Sequence, residues 1–400
     1  MRWLVLVLAW PAMGQVLTME EAVARALVTS PEVAAVRAAR AVSAFQMQGA
    51  RALPVPEFRL IANNVALDPE AAEQRNSVAI RWVPPRPREI ALKSRVATAK
   101  REVVDAEIRA AEARVAVAVR QAYRRAAVAE ERVTLGEKLL ALRRAALEVT
   151  RRQVANGLKA AVETDLAELA VYDAEAGLAK AQSGAKGERR RLARLLGPSG
   201  MTTFSLVAET GARRDLDVPF LVERALQGRA DVAKAAATCG QAEASRAVAK
   251  NELLPWISMS QVTRRLGSET GRPGTWGFQV GVELPLFRSA AKAEVGVAGA
   301  AAARCRLEER ALRLRVRQEV EEAAALWGDG MAELEKLDAV ANGPAARALA
   351  HTRAALAAGK ADRAEVLVAE ARQLGLRDRW LEKRLELTGL EAQLEMAAGL

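Results

Sequence analysis

The sequence contains an internal repeat, and this feature most limits how the chain can fold. Arg25-Ala26-Leu27 recurs 199 positions later as Arg224-Ala225-Leu226, and the same offset holds without a gap up to Pro255. Further along, Gly157 and Gly359 are each followed six residues later by a glutamate, at an offset of 202. Landmarks that return in the same order at a nearly constant offset indicate a tandem duplication. We therefore expect each half of the chain to form the same set of elements.

The N-terminus has the pattern of an export signal. Arg2 precedes a short apolar stretch from Trp3 to Trp10, and small residues follow at Ala12 and Gly14. This pattern predicts a signal peptide over 1–14, with a buried N-terminal segment as the alternative. The rest of the chain is then divided into a first repeat over 15–196, a connecting segment over 197–218 and a second repeat over 219–400.

The composition favours helices and offers little material for catalysis. Hydrophobic residues make up 51% of the chain but aromatic residues only 4%, which is typical of long helices rather than of a mainly β protein. One histidine and two cysteines cannot build a metal cluster or a catalytic triad, so we expect no enzyme activity, no metal and no cofactor. The net charge is +11, but the basic residues are interleaved with 49 acidic ones, which disfavours nucleic acid as a partner.

Each repeat is expected to contain a helix, two short strands, a long helix and a returning helix. The predicted helices cover 19–52, 89–155 and 161–196 in the first repeat, and 220–253, 289–358 and 362–398 in the second. The second of these would span roughly 100 Å, and its leucines follow a heptad rhythm that predicts an antiparallel coiled coil. Gly343-Pro344 is expected to kink its counterpart. Cys239 and Cys305 are interpreted as small buried helical residues, with a disulfide as the alternative.

The clearest strand pattern alternates large and small residues over 276–284. Large apolar residues lie at Trp276, Phe278, Val280 and Val282, in the same phase as Trp82 of the first repeat, whereas Gln279, Gly281 and Glu283 face the other way. In the partner strand, Ile257 and Met259 are expected to face away from Ser258 and Ser260.

Four strands cannot close a barrel alone, so the pattern predicts pairing with further copies. The apolar face would contact membrane lipid and the polar face would line the lumen. The alternative is a small sheet packed on a soluble helical domain. The chain has no run of eighteen apolar residues of the kind that forms a membrane-spanning helix.

Several segments resemble the outer-membrane efflux proteins typified by TolC. These segments are Leu17–Ala22, Ser30-Pro31-Glu32, Leu192–Gly197, Gly281–Phe287 and the turns Asn156-Gly157-Leu158 and Ala358-Gly359-Lys360. Their order and spacing together are specific, although Pro84–Arg88 departs from the apolar Pro-Leu-Phe that the family has at the first strand-to-helix crossing. The resemblance implies a mainly α protein that assembles as a homotrimer. Its twelve strands would form one β-barrel, and its antiparallel helices a coiled-coil tunnel across the periplasm.

The resemblance also implies a function and its site residues. The chain would be a passive exit duct in the outer membrane that docks to a periplasmic adaptor and an inner-membrane pump. Glu163 and Glu365 would form the pore constriction, and the turns Gly157-Leu158 and Gly359-Lys360 would contact the adaptor. A glutamate in the first turn of a helix can also simply complement the helix dipole. A soluble periplasmic coiled-coil scaffold or adaptor is the other candidate function, and the exported substrate is left open.

Overall fold

A computed structural model describes residues 15–61, 77–197, 204–207, 216–265, 274–283 and 289–400. The predicted signal peptide, most of the predicted connecting segment and the residues 284–288 lie outside the described residues. The helices are α1 (Met19–Thr29), α2 (Pro31–Arg51), α3 (Glu89–Ala155), α4 (Val162–Leu195), α5 (Val218–Gly228), α6 (Ala230–Glu252), α7 (Ser289–Val340), α8 (Ala346–Ala357) and α9 (Arg363–Ala398). The strands are β1 (Gln15–Leu17), β2 (Glu57–Ile61), β3 (Ser77–Trp82), β4 (Phe204–Leu206), β5 (Trp256–Arg265) and β6 (Trp276–Glu283).

The chain divides into two compact units. Unit 1 comprises 1–35, 110–229 and 315–400, and unit 2 comprises 36–109 and 230–314. The order of elements is nearly the same in the two halves of the sequence: two short helices, two strands, a long helix and a returning helix. No helix in the described ranges combines the length and the apolar character needed to cross a membrane.

The opening helix of each half is broken, where the sequence predicted one continuous helix. Ser30 lies between α1 and α2 in an extended conformation, with φ −65° and ψ 120°. Pro31 explains this break, because the proline ring disfavours helical geometry for the preceding residue. Arg229 separates α5 from α6 in a similar conformation, with φ −65° and ψ 131°. Its guanidinium donates to the carboxylate of Glu319 and to the carbonyl of Ala397. These contacts hold Arg229 in its extended conformation between the two helices.

The long helices are confirmed, with one difference at Pro344. Helix α3 covers the predicted range over 67 residues without interruption. Its counterpart runs as α7, then a five-residue π-helical segment, Ala341–Ala345, and then α8. The π turn contains Pro344, so the predicted irregularity at Gly343-Pro344 takes the form of a local widening of the helix at the residue that lacks an N–H.

The core of unit 1 is built around Tyr123. Its side chain is buried among apolar residues from α1, α3, α4 and β4. Its hydroxyl lies 2.7 Å from the carbonyl oxygen of Leu17 and accepts a hydrogen bond of 3.0 Å from the N–H of Val207. These contacts fix β1 against β4 as a short parallel pair. The sequence did not predict either of these two strands, because each has only three residues.

Unit 2 contains a four-stranded antiparallel sheet in the order β2-β3-β5-β6. Each half of the sequence contributes one hairpin, and the two hairpins join where β3 pairs with β5. The four predicted strands are therefore confirmed, and they form one continuous sheet.

A disulfide joins Cys239 on α6 to Cys305 on α7, so the interpretation of these cysteines as unpaired buried residues is wrong. Their Cα atoms are 5.4 Å apart, and 66 positions separate them in the sequence. The two helices run antiparallel, as the approach of Gly299 to the side chain of Arg246 also indicates. Sequence spacing alone could not show that these two positions face each other.

Candidate functional site

The two turns at the ends of the long helices have the same backbone geometry. Gly157 and Gly359 adopt left-handed φ angles of 70° and 68°. In the first turn the N–H of Leu158 donates to the carbonyl of Gln153 over 2.8 Å, and in the second the N–H of Lys360 donates to that of Ala355 over 2.9 Å. This is the Schellman motif, in which a residue without a Cβ reverses the chain and satisfies the last carbonyls of the helix.

An ion pair connects these two turns. The Nζ atom of Lys159 lies 2.8 Å from the carboxylate of Asp362, which also caps α9 by accepting from the N–H of Glu365 over 2.8 Å. Partial burial raises the pKa of the Asp362 carboxyl, but hydrogen bonds from Lys159, the Glu365 N–H and Gln153 outweigh it and hold the pKa below its usual value. The carboxylate is therefore charged at neutral pH, and it ties the two turns into one structure, which we call the tip.

Glu163 and Glu365 line the same cavity at the tip. The cavity has a volume of about 690 Å³, and both carboxylates are exposed. Its other charged lining residues are Arg143, Lys159 and Arg372. Among the ion pairs of the described residues at the tip, none involves Glu163 or Glu365. The structure thus brings the two predicted glutamates together and leaves both accessible.

The structure also shows an equivalent ion pair in each helical hairpin that the sequence did not reveal. Arg151 on α3 bonds Glu168 on α4 over 2.8 Å, and Arg353 on α8 bonds Glu370 on α9 over 2.6 Å. Both arginines and both glutamates are related by the offset of 202 that relates the turn glycines. A search of the repeat for matched opposite charges, and not only for identical residues, would have found the pairs.

One face of the four-stranded sheet is apolar and exposed. The register aligns Phe58, Ile80, Val262 and Phe278 in one row across all four strands. Directly paired residues point to the same side of a sheet, so this row lies on one face. Phe58 is 71% exposed and Phe278 is 73% exposed. We call this side the apolar face, and its further members are Leu60, Val78, Trp82, Ile257, Ser260, Arg264, Trp276, Val280 and Val282.

The opposite side carries polar and charged residues. Glu57, Arg81, Gln261 and Gln279 form one row across the four strands. We call this side the polar face, and its further polar, charged and glycine members are Arg59, Ser77, Thr263, Arg265, Gly277, Gly281 and Glu283. The register also places the apolar residues Ala79, Trp256 and Met259 on this side. The predicted assignment of Gln279, Gly281 and Glu283 to the side opposite Trp276 is therefore confirmed.

A β-bulge corrects one part of the predicted alternation. The register shifts between Ile257 and Met259, so that Met259 pairs with Gly281 on the polar face while Ile257 pairs with Val282 on the apolar face. Ser260 then pairs with Val280 and lies on the apolar face. The expectation that Ile257 and Met259 share a face is wrong, because a bulge adds one residue and inverts the alternation beyond it.

Two tryptophans are anchored near the ends of the strands. The indole N–H of Trp82 donates to the carbonyl of Pro54 over 2.9 Å, and that of Trp256 donates to the carbonyl of Pro84 over 2.7 Å. The Pro84–Arg88 segment, which departs from the family pattern, contains a left-handed turn at Arg88, with φ 64°. The N–H of Arg86 donates to the carboxylate of Glu89 over 2.7 Å and so begins α3.

The described chain thus combines paired helical hairpins with an amphipathic four-stranded sheet. Residues 221–400 match the family model described as "Outer membrane efflux protein". The second half of the chain is thus similar to this family, and the resemblance expected from the sequence is confirmed. Channels of the family are passive ducts and not enzymes.

Solved structures share the fold over nearly the whole chain. The outer membrane protein VceC from Vibrio cholerae is 18% identical with a TM-score of 0.74, over 95% of this chain and 96% of that one. The MtrE channel of Neisseria gonorrhoeae, in its open state, is 18% identical with a TM-score of 0.73. The match covers 95% of this chain and 88% of that one. CusC is 17% identical with a TM-score of 0.72, and the match covers 98% of this chain and 95% of that one. No curated protein sequence matches the chain.

Proposed function

We propose that the chain is the outer-membrane channel component of a tripartite efflux or secretion system. It would act as a passive exit duct that docks to a periplasmic adaptor and an inner-membrane pump. The observation that carries this proposal is the apolar face, because its row of large side chains spans all four strands and is left exposed by the single chain. A face of this kind is stable against lipid, while the polar face opposite suits a water-filled lumen.

The unpaired edges of the sheet support trimerisation. In the described sheet, β2 and β6 each have one neighbour, so one edge of each strand has backbone groups without a strand partner. Three copies would pair these edges and give twelve strands, enough to close a barrel. The internal duplication is part of this proposal, since one hairpin from each repeat contributes to the sheet. The disulfide supports export to an oxidising compartment such as the periplasm.

Cysteine labelling of the reconstituted protein tests the assignment of the two faces. The two native cysteines are paired, so labels would report only on introduced thiols. Cysteines at Phe278 and Val280 should be shielded by lipid, whereas those at Gln261 and Gln279 should react with a polar thiol reagent. Gly281 is unsuitable for labelling, because a Cβ there would lie 2.9 Å from the Ser258 hydroxyl.

Size measurement in detergent accompanies the labelling and should give three copies. Equal reaction at all four positions, or recovery of a monomer without detergent, would contradict the channel and favour a soluble periplasmic scaffold.

At the tip, Glu163 and Glu365 are proposed to form the pore constriction, and the turns Gly157-Leu158 and Gly359-Lys360 to dock the adaptor. Support comes from exposure: Leu158 is 72% exposed at the end of its turn, and both glutamates border one cavity. In a trimer the two carboxylates would recur three times, and like charges near a narrow opening repel each other and attract cations.

Replacing Glu365 with lysine should change the conductance and ion selectivity of the reconstituted channel, because it reverses three charges at the constriction. Glu137→Lys is the matched control, since Glu137 is an exposed glutamate on α3. Planar-bilayer recordings compare the two variants with the native channel. If both variants give the native traces, Glu365 serves only to complement the dipole of α9.

A further inference from the structure

The polar face of the sheet has more positive than negative side chains. The guanidinium of Arg59 bonds one carboxylate oxygen of Glu57 through Nε at 3.1 Å and through Nη2 at 2.7 Å. Arg81 reaches the same oxygen only at 3.9 Å. A single carboxylate thus serves two guanidiniums, and the Nε of Arg81 is buried without a hydrogen-bond acceptor in the described structure.

A third guanidinium and a second carboxylate complete the charges of this face. Arg265 pairs with Ser77 across the strands, so it lies on the polar face, where it is exposed. The other carboxylate of the face, Glu283, is matched by Arg86 at 3.5 Å. Among the described residues of the polar face, two positive charges per chain are therefore left uncompensated, those of Arg81 and Arg265.

We propose that this polar face favours anions over cations within the barrel lumen, in contrast to the carboxylates proposed at the tip. The inference rests on the proposed function, because it needs the polar face to line a pore. In a trimer the same surplus from each chain would surround one lumen, on walls that face a low-dielectric membrane. Such a ring raises the local concentration of anions and repels cations.

The sheet offers a matched control for this proposal. Arg264 is the neighbour of Arg265 in the sequence but lies on the apolar face, where its guanidinium stacks over the Trp276 ring at 4.8 Å. A change at Arg264 removes the same charge from the other side of the same strand. It should leave ion selectivity unchanged if only the lumen-facing charges matter.

The experiment compares reversal potentials of reconstituted channels across a potassium chloride gradient. The double variant Arg81→Gln/Arg265→Gln should lower the chloride-to-potassium permeability ratio severalfold, and Arg264→Gln should not change it. Low salt strengthens the effect, because screening over about 10 Å at 0.1 M ionic strength weakens exposed charges. Detergent size measurement and thermal unfolding confirm that each variant assembles.

The possible outcomes separate this inference from the proposed function. If the native chain forms pores and the double variant keeps the native ratio, the anion preference is refuted while the channel function stands. The anion preference is refuted in the same way if Arg264→Gln lowers the ratio as much as the double variant does. If the native chain forms no pores, the proposed function fails and the inference fails with it.

Discussion

Removing the disulfide between Cys239 and Cys305 should lower the free energy of unfolding by about 4 kcal/mol. The estimate follows from the loop entropy of a cross-link that closes 66 positions of chain. The variant should be Cys239→Ala/Cys305→Ala, because a single change leaves a free thiol beside its former partner. Among the noncovalent contacts between α6 and α7, the pair Arg306–Glu243 is exposed and contributes little.

The measurement is the unfolding midpoint at a fixed protein concentration, with and without a reductant. The reductant should lower the midpoint of the native protein to that of the double alanine variant, and it should have no effect on the variant itself. The disulfide contributes no stability if reduction does not change the unfolding midpoint of the native protein. The same conclusion follows if the variant and the native protein have the same midpoint without reductant.

Much of the fold could be predicted from the sequence because its signals are periodic and local. The helix over 89–155 was predicted to the residue, since a long stretch with one glycine and no proline has no point at which to end. The two faces of β6 followed from period-two alternation. The two turns were predicted because a glycine after a long helix favours the left-handed conformation that ends it, and Gly157 and Gly359 both adopt that conformation.

The features that the sequence missed depend on contacts between distant segments. Strands β1 and β4 exist because Tyr123 bonds to both of the segments that pair. The bulge at Ile257 and Met259 becomes visible only once β6 supplies the register. At the tip, the turns and glutamates were predicted from the family resemblance, but the Lys159–Asp362 pair required knowing that the two turns meet.

Glu395 shows how tertiary contacts give a residue a role that the sequence does not indicate. By sequence it is an ordinary glutamate near the end of a predicted helix. In the structure it is buried, at 5% exposure, and it lies 2.8 Å from Arg124 and 3.5 Å from Arg120. Arg120 also donates to the carbonyl of Leu400, so the network fastens the end of α9 to α3.

Replacing Glu395 with alanine should therefore destabilise the protein by about 2–3 kcal/mol, because it removes the carboxylate that two partly buried guanidiniums share and leaves Arg124 with Glu391 at 3.5 Å. Glu386→Ala is the control on the same helix. Glu386 is 64% exposed and pairs with Lys383 at 3.2 Å, so its loss should cost at most about 1 kcal/mol. Denaturant unfolding of the two variants at equal protein concentration measures the difference.

A second substitution shows whether the cost comes from the unpaired charge or from lost packing. In the double variant Glu395→Met/Arg124→Met, apolar side chains replace the closest ion pair, and the loss should be smaller than that of Glu395→Ala. A double variant that is less stable than Glu395→Ala would show that shape, and not charge, makes Glu395 necessary. Equal stability of Glu395→Ala and Glu386→Ala would show that the network does not hold α9 in place.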